Sequence, residues 1–133
     1  MQFEFTFPAT AKTPRLARRA LDGQLAYLGP DAEARMRLAM SEIVTNAIRH
    51  GRLDPEERIV VTVDLGDSDA RVAVSQPTRA EAPVDAGPRE DDGGFGLQLV
   101  DQLADAWGIE PGPPGVVWFE ISTTEGFERE DAP

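Results

Sequence analysis

The chain has 133 residues and a formal net charge of −11, which comes from 24 acidic against 13 basic side chains. This length supports a single domain with a real core, and the charge argues against general affinity for nucleic acid or for an anionic membrane, because both require clustered positive charge. The absence of cysteine excludes disulfides, thiolate metal sites and a thiol nucleophile, and the single histidine argues against an imidazole metal site.

The first quarter of the chain predicts an edge strand followed by a helix. Residues 2–7 alternate polar side chains with phenylalanine, which is the period of a half-buried strand, and the polar second face is typical of a sheet edge. Thr13-Pro14 then predicts a helix cap and a first turn. Helical spacing predicts that the buried side of this helix comprises Leu16, Ala20, Leu21, Leu25 and Leu28.

A second helix carries the residues with the clearest chemical meaning. Gly29-Pro30-Asp31 breaks the first helix and predicts the start of the second, which runs to about His50. Glu42, Asn46 and His50 recur every four residues and therefore share one face, beside an apolar row formed by Met36, Met40, Ile43 and Ala47. A carboxylate can take a proton from an attacking hydroxyl group, and an amide oxygen can hold magnesium beside phosphates. The same spacing is also typical of the wet side of an amphipathic helix, so the pattern alone leaves both interpretations open.

A hairpin and a long irregular segment follow. Residues 59–65 alternate apolar with polar or smaller side chains, residues 66–69 predict a turn, and residues 71–75 predict the next strand. Residues 76–94 show no periodicity. Loops of that length inside a compact domain are usually functional covers or disordered segments.

A glycine-rich turn separates this segment from a third predicted helix. The glycines of Gly93-Gly94-Phe95-Gly96 let backbone amides approach an anion, and the amides and dipole at a helix start attract it, so the arrangement suits a phosphate. A plain loop-to-helix turn is the simpler interpretation of these glycines alone. Strands are predicted at residues 108–110 and 116–122. The helix before them is predicted to bury one stripe, formed by Leu97, Val100, Ala104 and Trp107.

The order of these features resembles the GHKL ATPase superfamily, and more closely its bacterial anti-sigma-factor serine/threonine kinases. The resemblance covers residues 3–121. Residues 41–51, Ser-Glu-Ile-Val-Thr-Asn-Ala-Ile-Arg-His-Gly, are similar to the family's asparagine box. Residues 94–108 are similar to its glycine box and following helix, and residues 117–121 are similar to its last strand.

The resemblance implies a fold and a domain plan. The expected fold class is α+β, a two-layer α/β sandwich of the GHKL (Bergerat) type, in which a mixed, mostly antiparallel sheet is covered on one face by about three helices. The histidine-kinase-like ATPase domain is expected to span residues 1–124, with an ATP lid at about residues 79–92. Residues 125–133 are expected to form a charged flexible tail.

Site residues follow from the resemblance position by position. It implies that Glu42 is the catalytic base acting on a serine hydroxyl of the protein substrate, and that Asn46 coordinates Mg²⁺ on the phosphates of ATP. His50 is assigned only a structural or supporting role. The remaining residues expected to bind ATP are Gln76, Gly94, Phe95, Gly96 and Leu97, of which the last four begin the glycine box and its helix.

The sequence departs from the family pattern at three places that bear on ATP affinity. Gln76 stands where the family has an aspartate that accepts a hydrogen bond from the adenine amino group; glutamine has a carbonyl acceptor but is neutral and one methylene longer. A second registration would use Asp85 and Gly87, although no adequate strand precedes them. Phe95 replaces a basic residue between the glycines, and Gly115 replaces the usual lysine near the last strand.

Two functions from different classes are consistent with these observations. The first is an anti-sigma-factor-type regulatory serine kinase that binds Mg-ATP, sequesters a sigma factor and phosphorylates a serine of a STAS-domain antagonist. The second is a nucleotide-impaired regulator on the same scaffold, which acts by partner sequestration without kinase activity and is motivated by Gln76. A histidine-kinase catalytic domain is a less favoured third interpretation, because no phosphoacceptor helix precedes the first strand.

Partners and location complete the expectations. The family and the predicted edge strand together suggest a homodimer. Direct nucleic-acid and membrane partners are not expected from the acidic charge. No apolar run approaches the length that crosses a bilayer, and no signal-peptide pattern follows Met1, so the sequence predicts a cytoplasmic protein.

Overall fold

The computed structural model describes residues 1–25, 28–81 and 96–123, which form one five-stranded sheet with helices on one face. The strands are β1 (Gln2–Pro8), β2 (Arg58–Leu65), β3 (Asp69–Gln76), β4 (Ala106–Glu110) and β5 (Gly115–Ser122). The described helices are α1 (Thr13–Ala20), α2 (Pro30–His50) and α3 (Gly96–Leu103). The strand order is β1-β2-β3-β5-β4, and every pairing is antiparallel.

The core lies between the helices and one face of the sheet, because successive strand residues point to opposite faces. The strand register aligns Val72 of β3, Phe119 of β5 and Trp107 of β4 across the sheet. Phe119 is fully buried, as are many β-branched neighbours on the same face. From α2 the predicted apolar row is also buried, which confirms it: Met36, Met40, Ile43 and Ala47.

The opposite face of the sheet carries no helix among the described residues. Its side chains are polar or half-buried, and Trp118 is the largest of them. The Trp118 indole lies against the backbone of Gly108 on the neighbouring strand, and the Arg71 guanidinium stacks 4.1 Å from the centre of the ring. Arg71 also donates to Glu120 over 2.8 Å. A cation–π contact and an ion pair therefore fill this face in place of a second layer.

β1 is an edge strand, as its alternating pattern predicts. Its one partner within the described sheet is β2, and its phenylalanines lie half-buried on the helix side. The rings of Phe5 and Phe7 stack with their centroids 6.3 Å apart.

No helix in the described part of the chain is both long enough and apolar enough to cross a membrane.

Two helix predictions differ from the structure at their ends. The first helix ends at Ala20, and successive hydrogen-bonded turns continue to Leu25, so Leu21 and Leu25 are still fully buried. Leu16 was expected to be buried but is 37% exposed, because α1 turns Thr13 and Ala17 inward instead. The third helix likewise ends at Leu103, before the predicted stripe is complete. Trp107 reaches the helix-facing side from β4.

Thr13 is not the predicted cap but a buried link between β1 and α1. The residue before it occupies the cap position and makes no side-chain capping bond. The Thr13 hydroxyl donates to the carbonyl oxygen of Pro8, at the end of β1, and accepts from the backbone N–H of Thr10 over 3.2 Å. The hydroxyl therefore holds the connection between the strand and the helix.

Replacing Thr13 by valine is expected to lower the free energy of unfolding by about 1 kcal/mol, because the buried hydroxyl loses its bonds to Pro8 and Thr10. Urea denaturation measures the change. Thr6→Val, on the exposed face of β1, is the matched control and is expected to change stability by less than about 0.5 kcal/mol. Equal effects of the two substitutions would contradict the role given to Thr13.

Candidate functional site

α2 is the element that carries the predicted chemistry, and its ends are well defined. It begins after the extended residue Gly29 and ends at His50, and the N–H of the following residue, Gly51, donates to the carbonyl of Ala47 over 2.9 Å. Acidic residues lie in its first turn and basic residues in its last, so both ends complement the helix dipole. A stable frame of about six turns therefore holds the candidate residues.

The three candidate residues of α2 differ in exposure. Asn46 is buried at 8% exposure, Glu42 is half-buried and His50 is exposed. No side-chain hydrogen bond joins Asn46 to the described residues. Among these residues, every side-chain nitrogen or oxygen that is closed off from solvent has a hydrogen-bond partner, so the unbonded amide atoms of Asn46 are not closed off. The amide of Asn46 thus keeps a polar atom open to a ligand, while Glu42 on the same face has partial access. The role of His50 stays a prediction.

α3 packs along the face of α2 that carries these residues. Arg35 precedes Glu42 by seven positions and Asn46 by eleven, so the three share one side of the helix. The Nη1 atom of Arg35 donates to the carbonyl oxygen of Leu103, at the end of α3, over 2.9 Å, and its Nε atom donates to Asp31 over 3.2 Å. Arg35 therefore fastens α3 beside the candidate site.

The glycine-box residues are only partly within the described chain. Gly94 and Phe95 lie outside it, and Gly96 is the first residue of α3. Leu97 is buried and belongs to the hydrophobic core. The side chain of Leu97 therefore fixes the start of α3 in the core, and its role in binding ATP stays a prediction.

A second cluster joins the end of β3 to the end of α2. Gln76 is buried at 4% exposure, and its Nε2 donates to the carbonyl oxygen of Arg79 over 2.8 Å and to the Thr78 hydroxyl over 3.1 Å. The Thr78 hydroxyl donates to the carbonyl oxygen of Gly51 over 2.5 Å. The predicted adenine-binding position therefore lies against the C-terminal end of the helix that carries Asn46.

The first residues of the predicted lid belong to the fixed part of the fold. Gly115 donates its N–H to the carbonyl of Thr78, and the N–H of Ala80 donates to the carbonyl of Pro111, both over 2.9 Å. Ala80 is buried. Residues 82–92 of the predicted lid, with the alternative residues at 85 and 87, lie outside the described residues.

This crossing explains why a glycine occupies position 115. A Cβ atom added to Gly115 would meet the backbone nitrogen of Ala80, lie 2.5 Å from the Ala80 Cβ and lie 2.8 Å from the carbonyl oxygen of Thr78. The chain passes too close for a lysine or any other side chain. The close approach of residues 78–80 therefore gives a steric reason for glycine at position 115.

Gly115→Ala is expected to destabilise the fold by about 1–3 kcal/mol, because the added methyl group must push residues 78–80 away. Gly23→Ala is the control, since a Cβ atom there meets no heavy atom within 4 Å. That control is expected to leave stability unchanged or to raise it by up to about 1 kcal/mol. Thermal unfolding compares the two, and a Gly115→Ala variant as stable as the parent would show that the crossing is not tight.

A network of charged side chains holds α1 next to α2 near Glu42. Arg37 donates to Asp22 over 2.6 Å and to Glu33 over 3.0 Å, and Arg18 donates to the Ser41 hydroxyl over 2.6 Å. Burial opposes the charge of Arg37, but the hydrogen bonds and attraction from the two carboxylates outweigh it and raise the pKa of the guanidinium. Arg37 therefore stays charged, and α1 is held beside the residue that precedes Glu42.

The described site combines two residues of α2 with one at the end of β3. Asn46 is largely buried but keeps an open amide, Glu42 supplies a half-buried carboxylate, and Gln76 is held by hydrogen bonds. A family model described as the histidine kinase-like ATPase domain matches residues 7–118, which is most of the chain. The chain belongs to this family. The expected α+β sandwich of the GHKL type is likewise confirmed by the sheet and its helices.

Two solved structures are similar to this histidine kinase-like ATPase domain. One contains the RsbU and RsbW domains of Rv1364c from Mycobacterium tuberculosis, with a TM-score of 0.71, 24% identity and coverage of 91% of this chain. The other is the histidine kinase domain from the Erythrobacter litoralis EL346 blue-light activated histidine kinase, with a TM-score of 0.52, 20% identity and 90% coverage. The chain spans 32% of the first and 63% of the second. A search of curated proteins found no match.

Sequence reasoning missed three residues of this region: Arg35, Thr78 and Arg79. Arg35 had a local signal, since Asp31 and Arg35 stand four residues apart on one helix. Thr78 and the carbonyl of Arg79 had none. Their contacts with Gln76 are local but match no motif, and the contact of Thr78 with Gly51 depends on the meeting of β3 with α2.

Proposed function

We propose that this domain is an anti-sigma-factor-type regulatory serine kinase. It binds Mg-ATP, sequesters a sigma factor and transfers the γ-phosphoryl group to a serine of a STAS-domain antagonist. The observation that carries the proposal is the pair on α2, in which a partly accessible carboxylate, Glu42, stands one turn from the open amide of Asn46. Phosphoryl transfer needs chiefly positioning and charge neutralisation, for which this set is suited.

Asn46 fits the role of a magnesium ligand. Its amide has no side-chain hydrogen bond to the described residues, and an amide oxygen is a hard ligand of the kind that Mg²⁺ accepts. No group of three or more His, Cys, Asp or Glu that could hold a metal occurs in residues 1–25, 28–81 and 96–123. We therefore propose that the nucleotide phosphates would supply the other ligands of Mg²⁺. The bound ion would neutralise part of their charge.

Glu42 is proposed as the general base. Its carboxylate would accept the proton of the substrate serine as that oxygen attacks the γ-phosphorus atom. The new bond joins serine oxygen to phosphorus, and the bond from phosphorus to the bridging oxygen breaks, which leaves ADP. Half-burial favours this role, because the carboxylate is reachable by a protein substrate and is still fixed on a helix.

The choice of partners is supported by likeness and not by contacts. The sequence resembles the anti-sigma kinases in its asparagine and glycine boxes, and one similar structure contains an RsbW domain. Among the described strands the outer edge of β1 has no partner, which supports a homodimer, since a free strand edge can pair with its copy. A net charge of −11 favours protein partners with basic surfaces over nucleic acid.

The decisive experiment is a transfer assay. The protein is incubated with Mg²⁺ and ATP labelled at the γ-phosphate, together with candidate STAS-domain proteins of the source organism, and the labelled residue is identified by mass spectrometry. A parallel binding assay tests sigma factors with and without Mg-ATP. Label on a serine of one STAS protein is expected. Tight ATP binding with no transfer to any of them would contradict the kinase assignment.

Gln76 favours one alternative, a nucleotide-impaired regulator on the same scaffold. Its side chain is neutral and its amide nitrogen is already held by Arg79 and Thr78. Such a protein would act by sequestering its partner without transferring phosphate. Titration calorimetry separates the two, since tight binding of Mg-ATP would eliminate the alternative.

A further inference from the structure

Leu38 is an exposed hydrophobic side chain on α2, one helical turn before Glu42. It is 45% exposed, and Leu16 is the only other large hydrophobic side chain that is exposed on the described helices. A single exposed leucine is common on protein surfaces. The position of Leu38 distinguishes it, because residues four apart on a helix are neighbours on its surface. Leu38 therefore lies beside the proposed general base.

The surface around Leu38 is uncharged. Ala34 stands four residues before Leu38 and Ser41 three residues after it, so the three side chains share the face of α2 that points away from the core. Ala34 is exposed and Ser41 is half-buried. These three residues form what we call the outer patch of α2. The outer patch offers apolar area and one hydroxyl group to a protein that covers it.

Two arginines that border the outer patch are already paired within the chain. Arg37 donates to Asp22 over 2.6 Å, and Arg35 donates to Asp31 over 3.2 Å. Glu42 differs from them, since it makes no hydrogen bond and no ion pair within the described part of the chain. A protein that covers the outer patch therefore meets a neutral surface beside an unpaired carboxylate.

We propose that the outer patch of α2 is the docking surface for the acceptor protein, and that Leu38 receives an apolar side chain that lies near the acceptor serine. This inference rests on the proposed transfer of phosphate to a protein serine. Residues four apart on a helix are separated by about 6 Å along its axis, so a serine within hydrogen-bond reach of Glu42 brings its neighbours over Leu38. The reaction requires no other protein to reach Glu42, which favours the acceptor over a sigma factor or a second copy of this chain.

Leu38 is expected to contribute most of the docking energy of the outer patch. Ala34 has little surface to bury, and the Ser41 hydroxyl already accepts from Arg18 over 2.6 Å. Apolar area removed from water stabilises a complex, and a few such side chains usually carry most of the binding energy of an interface. The loss of this one apolar contact is therefore measurable.

The first test replaces Leu38 by glutamine, which keeps the helix preference of the side chain but adds a polar amide. The substrate is the STAS-domain protein that the transfer assay labels. Its KM is expected to rise at least about tenfold, with kcat within about threefold of the parent. Mg-ATP affinity and the unfolding temperature are expected to stay parental, because the side chain is exposed and faces away from the core. Leu38→Met is expected to restore the parental KM.

Leu16→Gln is the matched control, because Leu16 is a leucine of comparable exposure, 37%, on a different helix. Its KM for the acceptor is expected to be parental. A parental KM in Leu38→Gln, or an equal rise in both variants, would overturn the docking role and leave the kinase assignment standing. A fall in kcat with unchanged KM would make Leu38 a support for Glu42 and would also overturn it. Absence of transfer by the unmodified protein would overturn both the inference and the proposed function.

A second test locates the contact directly. The photoreactive residue benzoylphenylalanine is placed at position 38 or at position 16, and each protein is irradiated with the same STAS-domain protein in the presence of Mg-ADP. Position 38 is expected to cross-link to a peptide that contains or adjoins the labelled serine, and position 16 is expected to give no such product. Cross-links from position 38 only to a second copy of this chain, or only to peptides far from that serine, would overturn the proposal.

Discussion

Replacing Glu42 by glutamine is expected to slow phosphoryl transfer to a protein serine by about 10²- to 10⁴-fold, the usual contribution of a general base. The substitution keeps the size of the side chain and its half-buried place on α2 but removes the proton acceptor. Mg-ATP affinity is expected to stay within about threefold, because the base is not a phosphate ligand in this arrangement. Single-turnover transfer rates and calorimetry provide the two measurements.

Glu56→Gln is the matched control for Glu42→Gln. Glu56 is exposed in the connection between α2 and β2, so its substitution is expected to leave both transfer and binding unchanged. Transfer by Glu42→Gln at the parental rate would remove Glu42 from the mechanism. Loss of binding and transfer together would instead make it a ligand-binding residue.

Replacing Asn46 by alanine is expected to weaken Mg-ATP binding by about tenfold to a hundredfold and to abolish its dependence on magnesium. A hydrogen bond or ligand contact to a charged group contributes about 1.5–3 kcal/mol, which corresponds to that range. Stability is expected to change little, because the amide has no side-chain partner among the described residues that its loss would leave unpaired. Calorimetry with and without Mg²⁺, followed by thermal unfolding, measures both effects.

Thr45→Ala serves as the control for Asn46→Ala. It neighbours Asn46 on α2, is half-buried and belongs to a different side of the helix. It is expected to bind Mg-ATP like the parent. Retained magnesium-dependent binding in Asn46→Ala would contradict the assigned ligand and direct the search toward the glycine box.

Regular periodicity made the sheet and the site helix predictable. The strands at Arg58–Leu65 and Gly115–Ser122 and the helix at Pro30–His50 bury one face each, so apolar spacing fixes both their type and their orientation. The end of the first helix was not predictable in the same way. Turns after Ala20 keep Leu21 and Leu25 inward at nearly helical spacing, so the leucines fit a helix and a series of turns equally well.

The second half of the site shows where local patterns stop being informative. Gln76 and Gly115 are 39 positions apart yet form a register pair on neighbouring strands, and Thr78 bonds to Gly51 across 27 positions. No short motif encodes such contacts, since each depends on which elements the fold brings together. Gly115 was interpreted as a missing lysine, whereas the structure gives it a steric reason in the crossing of residues 78–80.

The two tryptophans lie on opposite faces of the sheet, which gives the domain two separate fluorescent reporters. Trp107 turns toward the helices and donates its indole N–H to Asp101 of α3 over 2.8 Å, so its emission is sensitive to any shift of α3 against the sheet. Trp118 lies on the opposite face of the sheet, which carries no helix among the described residues, beneath the guanidinium of Arg71. A ligand that moves α3 is expected to change the fluorescence emission of Trp107. A protein that covers the opposite face of the sheet is expected to change the emission of Trp118.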